Sequence, residues 1–202
     1  MARYLGPRCK KSRRYGVPLF GGHGALERKN YPPGMHGDRR RSKQSEYAIA
    51  LGEKQKLRYM YGLMEKQFRK YYEIALNRKG VTGDNMLQML EMRLDNVVFR
   101  LGFANSRRAS RQMVSHAHIR VNGRKVNIPS YQVKVGDVIE VKDKAVSRQL
   151  ATKGIEATQI SPVPEWLLAD KDNFKGEVKR VPTREEIAPI ANEQLVVELY
   201  SR

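Results

Sequence analysis

Cysteine is almost missing from this chain. Among 202 residues only Cys9 carries a thiol, so no intrachain disulfide forms and no four-thiolate zinc site can be built. Long hydrophobic runs are missing too. The longest uninterrupted apolar stretch, Tyr47–Leu51, falls far short of the roughly 20 residues that a membrane-spanning helix needs. The opening MARYLGPRCKK offers no apolar stretch for a secretory signal, and glycines and prolines within the acid-free Met1–Leu26 break any amphipathic transit helix. Aromatic residues make up 8% and hydrophobic residues 40% of the chain, enough for a small core but thin for the full length. Acids are scarce beside bases: 21 Asp and Glu face 39 Lys and Arg, a net charge of +18. The expectation is therefore neither a membrane protein nor a secreted disulfide scaffold, but a binder of a polyanion.

The charge is unevenly spread. Residues 1–45 hold twelve Lys and Arg against Glu27 and Asp38, a net of +10. From Ile155 to Arg202 nine acids face six bases, a net of −3, which leaves +11 for the middle. A polyanion should lie along the N-terminal and middle parts, with the C-terminal part turned toward protein. Residues 1–45 read as an extended basic arm, because Gly21–Gly24 and Asn30–Gly37 are turn chemistry and neither helical nor strand periodicity shows. Tyr4, Tyr15, Phe20 and Tyr31 interleave with the bases there. Such an arm is expected to order on its partner, and the rest of the chain to fold without it.

Helical spacing begins at Ser45, a good N-cap for a stripe of Tyr47, Ala50, Leu51, Leu57, Met60 and Tyr61. A second helix is predicted over Glu65–Asn77 and a third from Thr82–Asp84 through Leu101 to Gly102. Ser106 then caps a short basic helix, Arg107–Ala117, whose apolar side is Ala109, Met113, Val114 and Ala117. After it the period switches to two. Ile119 and Val121 precede Asn122-Gly123, Val126 and Ile128 follow, and Asn-Gly between alternating runs signals a hairpin. Val135–Val141 reads as a turn into another strand, while Leu195–Tyr200 fits a strand or a last helical turn equally. The fold class is α+β. The expected organisation is the arm, 1–45; a helical block, 46–92; and a compact helix-hairpin unit, 93–154.

The chemistry-bearing patterns point to nucleic acid. Arg107, Arg108 and Arg111 are spaced to share one helix side opposite Met113 and Val114. Guanidinium planes grip phosphates bidentately, and a helix edge running into a hairpin suits a folded RNA surface. An ordinary solvated basic face would intersperse acids, yet none occurs from Asn96 to Gln132. His116 and His118 could ligate a metal at strand spacing, but no third ligand lies nearby, so RNA contact or capping is the preferred reading. Cys9 with His23 and His36 matches no standard zinc module. No P-loop, G-x-S-x-G or Cys/His/Asn set is present; Asp84 reads as charge at a helix N-terminus. An enzyme is not expected.

Leu90-Glu91-Met92-Arg93-Leu94-Asp95-Asn96-Val97-Val98-Phe99-Arg100-Leu101-Gly102, then Ser106-Arg107, Arg111-Gln112 and His116-x-His118-Ile119-x-Val121-Asn122-Gly123, resembles the bacterial-type small-subunit ribosomal protein S-four family. The likeness covers the whole chain, through Met1-Ala2-Arg3-Tyr4-x-Gly6-Pro7, Tyr31-Pro32-Pro33-Gly34-x-His36-Gly37, Glu53-Lys54-Gln55-Lys56-Leu57-Arg58, Gly80-Val81-Thr82-Gly83, Pro129-Ser130-Tyr131 and Asn192-Glu193-Gln194-Leu195 to the terminal Tyr200-Ser201-Arg202. The same module, called α-L, occurs in some pseudouridine synthases, tyrosyl-tRNA synthetases and a small heat-shock RNA-binding protein. An RNA-modifying enzyme would need a catalytic domain for which the chain has no room, and a free regulatory binder would not need the arm.

The resemblance implies a helical domain, 46–92, onto which 155–202 returns, and an α-L RNA-binding module over 93–154. It implies a structural constituent of the small ribosomal subunit, in a bacterial cytoplasm or an organelle. It implies primary binding to 16S rRNA at a five-helix junction of the 5′ domain, and nucleation of subunit-body assembly. It further implies contact with neighbouring small-subunit proteins, notably the fifth, a place beside the mRNA where it enters, and an effect on translational accuracy. The expected RNA contacts are Arg3, Arg8, Lys10, Arg13, Arg14, Arg39 and Arg40 in the arm and Lys54, Lys56 and Arg58 in the helical block. In the module they are Arg107, Arg108, Arg111, His116, His118, Arg120, Asn122, Arg124 and Lys125. Many family members carry zinc on four N-terminal cysteines; here Cys9 stands at the first position and Ser12 at the second. No cofactor is expected. Purified protein should therefore hold no stoichiometric zinc by metal analysis, and Cys9→Ser should leave the melting temperature unchanged.

Overall fold

A computed structural model describes residues 3–21, 24–37, 43–159, 162–187 and 191–201. In chain order these form α1 (Arg8–Tyr15), α2 (Gly24–Arg28), α3 (Glu46–Met60), α4 (Glu65–Leu76), α5 (Thr82–Glu91), α6 (Leu94–Arg100), α7 (Arg107–Ser115), β1 (Ile119–Val121), β2 (Arg124–Lys125), β3 (Val138–Val141), α8 (Ala145–Ala157), β4 (Leu167–Asp170), β5 (Lys175–Val178) and α9 (Glu193–Ser201). The chain divides into two compact units, Met1–Met86 with Ala188–Arg202, and Leu87–Ile187. The α+β class is as the sequence indicated.

In the first unit Ser45 caps α3 as expected, its hydroxyl accepting from Ala48 N–H at 3.3 Å. α3 turns Ala50, Leu57 and Met60 inward and α4 turns Phe68, Tyr72 and Ala75 inward. α9 packs along α3 and buries Val196. The choice left open for Leu195–Tyr200 thus resolves as helix. Tyr200 stacks on Tyr72 with ring centroids 4.8 Å apart. Its hydroxyl donates to Glu65 Oε1 at 2.7 Å, and Lys54 Nζ donates to the same oxygen at 2.7 Å. Burial raises the Glu65 pKa, but these two hydrogen bonds and the Lys54 charge outweigh it and leave it below the ordinary value.

An extended arm over 1–45 is not what the described residues form. α1 is a helix closed by Gly16 in the left-handed region, φ 68°. Leu19 is buried, and Tyr59 of α3 is only 6% exposed. Tyr4 tilts against Tyr59 at 4.8 Å and stacks on Phe20 at 5.9 Å. The interleaved aromatics are therefore packing groups. Periodicity did not reveal this because α1 contributes one small buried residue, Ser12, and the larger groups come from the turns around it.

The second unit carries an antiparallel sheet ordered β2-β1-β3-β5-β4. Asn122 and Gly123 take φ values of 50° and 74° in the β1–β2 turn, which is why Asn-Gly stands there. β2 ends at Lys125, earlier than the alternation of Val126 and Ile128 suggested. The long third helix is in fact two. Arg93 is extended (φ −72°, ψ 138°) and bridges to Gln132. Leu94 N–H donates to Tyr131 O at 2.9 Å, and Val133 N–H donates to Met92 O at 2.9 Å. A two-residue break leaves the apolar stripe almost in phase, so spacing alone reads straight through it.

The expected domain boundaries also shift. Strands β4 and β5 join the edge of β3, and Trp166, Leu167 and Val178 enter the same core as Val97, Val98, Leu101, Phe103 and Ile139. Residues 162–187 pack in the second unit, so the return to the helical unit follows Ile187 rather than beginning at 155. Four-residue strands such as LLAD and KGEV are too short for alternation to identify. α8 escaped notice because its buried residues, Ser147, Ala151 and Gly154, are small, while Val146 and Leu150 are exposed. Its apolar stripe is inverted.

At the centre of this unit Arg93 Nε and Nη2 bond Asp95 Oδ1 and Oδ2 at 2.9 and 2.6 Å, and Arg111 Nη1 reaches Oδ2 at 3.0 Å. All three side chains are buried. Asp95→Ala leaves two desolvated cations facing each other and should cost roughly 3–5 kcal/mol, read as a lower urea midpoint; an unchanged midpoint would refute that role. Deleting residues 1–45 removes buried Leu19 and uncovers Tyr59, and should cost at least about 2 kcal/mol. Thermal melts of full-length and truncated protein check this, with equal stability counting against it.

Candidate nucleic-acid interface

In the first unit a cleft of about 940 Å3 opens between α1, the 32–37 turn and α3. Lys11, Arg14, Lys56 and Arg58 line it, against Glu53 as the acid among its walls. The glycine-rich turn chemistry of Pro32–Gly37 makes one wall, and α1 brings its bases to the other. Arg3, Arg8, Lys10 and Arg14 are exposed. Arg13 is tied down instead: its Nε and Nη2 donate to the carbonyls of Tyr31 and Pro32 at 3.0 and 3.2 Å, with its guanidinium over the Tyr31 ring. It positions the turn. Arg39 and Arg40 lie outside the described residues.

The α3 cations divide the same way. Lys54 is buried on Glu65, Lys56 Nζ bonds Glu53 Oε1 at 2.6 Å, and Arg58 bonds Gln55 Oε1 through Nε and Nη2 at 2.9 and 2.6 Å. Arg58 also lies over Tyr59. Lys54 serves the fold, while Lys56 and Arg58 keep partial exposure beside the cleft.

In the second unit the three arginines of α7 do not share an open face. Arg111 is 6% exposed and held by Asp95. An arginine four residues beyond Arg107 could sit on the polar side by spacing, but the long side chain bends under the helix to a carboxylate that spacing does not reveal. Arg107 Nε donates to Asn96 Oδ1 at 2.8 Å, its guanidinium lies over Phe99, and Asn96 in turn donates to Glu91 at 2.6 Å. Arg100 closes that network on Glu91 at 2.9 and 3.0 Å. Arg107 and Arg108 are half-buried and engaged within the protein. Ser106 caps α7 as expected, accepting from Ala109 N–H at 3.3 Å.

Beyond α7, Arg124 and Lys125 are exposed on the hairpin. Arg120 stands opposite Glu140 across β1 and β3, a carboxylate also paired with Lys175 at 3.1 Å. Asn122 is exposed and also braces the turn: its amide donates to Asp137 at 2.9 Å and its oxygen accepts from Val138 N–H at 2.8 Å. His116 is exposed. His118 Nδ1 lies 2.9 Å from Ser147 Oγ; burial, then the charges of His116 and Lys142, hold its pKa below the ordinary value. Sequence reasoning passed over Lys144, Arg148 and Lys153 on and before α8, where Asp143 interrupts the basic run.

Among the described residues no three His, Cys, Asp or Glu stand close enough to share a metal ion, and Cys9 is exposed. His23 falls outside them. Among the same residues no helix is long and apolar enough to cross a membrane. Two separate surfaces therefore combine exposed cations with planar groups, which is the chemistry of phosphate and base contact.

Comparison with known proteins agrees. Residues 3–91 match the model of the ribosomal protein S4/S9 N-terminal domain, and residues 92–139 match the S4 domain. Relatives named small ribosomal subunit protein uS4 are 59% identical in Akkermansia muciniphila, 57% in Opitutus terrae and 52% in Cytophaga hutchinsonii, each over the full length of both chains. These are structural proteins of the ribosome, not enzymes, and the S4 domain is an RNA-binding module. On its motifs, its fold and these likenesses, the chain belongs to the uS4 family of small-ribosomal-subunit proteins.

Proposed function

We propose that this protein binds 16S rRNA at a five-helix junction of the 5′ domain and nucleates assembly of the subunit body in the cytoplasmic ribosome. In the finished subunit it contacts neighbouring proteins, notably the fifth, lies beside the mRNA where it enters, and contributes to translational accuracy. The observation that carries the RNA reading is the sorting of cations. Arg3, Arg8, Lys10 and Arg14 in one unit, and Arg124 and Lys125 in the other, stay exposed, whereas Arg93, Arg111 and Lys54 are neutralised inside. Exposed cations release counterions when they meet phosphates, and this drives association.

Within this reading Arg3, Arg8, Lys10, Arg14, Lys56, Arg58, Arg120, Arg124 and Lys125 touch RNA directly, joined by Arg39, Arg40 and the two half-buried arginines of α7. His116 and His118 meet RNA through their rings. Arg111 contributes by holding α7 in place, as Arg13 holds the 32–37 turn. If about six to ten phosphates are contacted, affinity for a 5′-domain transcript should fall roughly 10³–10⁵-fold between 50 and 200 mM monovalent salt at fixed Mg²⁺. Arg124→Gln with Lys125→Gln should flatten the log–log slope by about one unit per charge, at unchanged melting temperature. Arg111→Gln should instead lower stability. Filter binding beside thermal melts measures both, and a flat salt dependence of the wild type would overturn the proposal.

A further inference from the structure

We propose that a cavity between α7 and α8 takes one unpaired nucleobase of ribosomal RNA, a contact with a base added to the phosphate contacts above. The inference rests on the RNA-binding reading. The cavity is about 280 Å3 and lies wholly in the second unit. Complete small-ligand sites span roughly 300–1,000 Å3, so this one suits a single ring system. Ala109, Met113 and Leu150 give it apolar walls, and His116 and His118 add two planar rings with centroids 6.2 Å apart. Gln112 brings an amide with both donor and acceptor capacity.

This chemistry selects a base over a phosphate. Among the described residues that line it, Lys153 is the only permanent cation and no carboxylate is present. His118 is fixed by its 2.9 Å contact with Ser147, and its depressed pKa keeps the ring neutral at neutral pH. Flat rings over apolar walls stack on a base, whose faces are apolar and whose edge needs an amide-like partner.

The cavity also depends on α8, which lies beyond the matched S4 domain, residues 92–139. Gly154 makes the approach possible: a Cβ there would stand 2.3 Å from the Phe103 carbonyl oxygen. With α8 pressed to that backbone, Leu150 one turn earlier borders the cavity while remaining 41% exposed. The site adjoins the RNA-facing helix α7, so it enlarges that surface.

Leu150→Trp fills the mouth without altering charge. With the full chain and a transcript of the small-subunit rRNA 5′ domain, affinity should fall about tenfold or more, the worth of one stacked base, with the salt slope unchanged. Wild-type affinity overturns the proposal and leaves the cavity to a protein neighbour. A flatter slope also overturns it, because a displaced phosphate contact would then explain the loss. Should Leu150→Trp melt below the wild type, Leu150→Gln decides by the same two readouts. A flat slope for the wild type would refute RNA binding itself, an outcome distinct from failure of the cavity alone.

Discussion

One carboxylate shared by two buried guanidiniums organises the RNA-binding unit. Asp95 sits at the start of α6, Arg93 in the extended break before it and Arg111 in α7. Desolvating two cations is costly, and a single acid compensates them only with close geometry. That requirement pins three segments together: the Asp95 carbonyl accepts from the Ser110 hydroxyl at 2.5 Å, and Asp95 N–H donates to Pro129 O at 3.1 Å. The break between α5 and α6, the seat of α7 and the path of 129–133 all follow from it. A second buried acid, Glu91, holds Arg100 and Asn96, and through Asn96 reaches Arg107.

A chain of net charge +18 faces self-repulsion in its compact state. Several of its acids sit against bases inside the fold or brace its turns. Glu53 and Glu65 hold α3 cations, Glu65 and Tyr200 bind α9 to α4, and Asp137 pins the Asn122 turn. What stays exposed is a surplus of bases at the cleft of the first unit and on the hairpin of the second. Stability and polyanion binding thus draw on the same residue types, separated by burial alone.

The basic character of the surface was legible in the sequence. Charge imbalance, the acid-free stretch from Asn96 to Gln132 and the Asn-Gly turn indicated a basic surface around a helix and hairpin. Both serine caps were readable too, because capping is a local interaction between a hydroxyl and an amide three residues on. Less legible was which base does what. Arg107, Arg108 and Arg111 are equivalent by spacing, yet Asp95 claims Arg111 because the fold brings α6 beneath α7. Lys54 and Lys56 differ by two positions, and the burial of Lys54 against Glu65 depends on how α4 packs.

Motif resemblance identified the family, while the α+β class, the main helices, the hairpin and the polyanion preference were readable in composition, local periodicity and turn chemistry. Long-range packing placed α1 and Leu19 in the helical unit and added β4 and β5 to the sheet of the other. Only it turned Val146 and Leu150 outward, because small residues on α8 let the helix approach the Phe103 backbone. Such outcomes depend on which surfaces meet across long stretches of chain. A short strand, an inverted stripe or a buried arginine has no local pattern of its own; its partner supplies the reason.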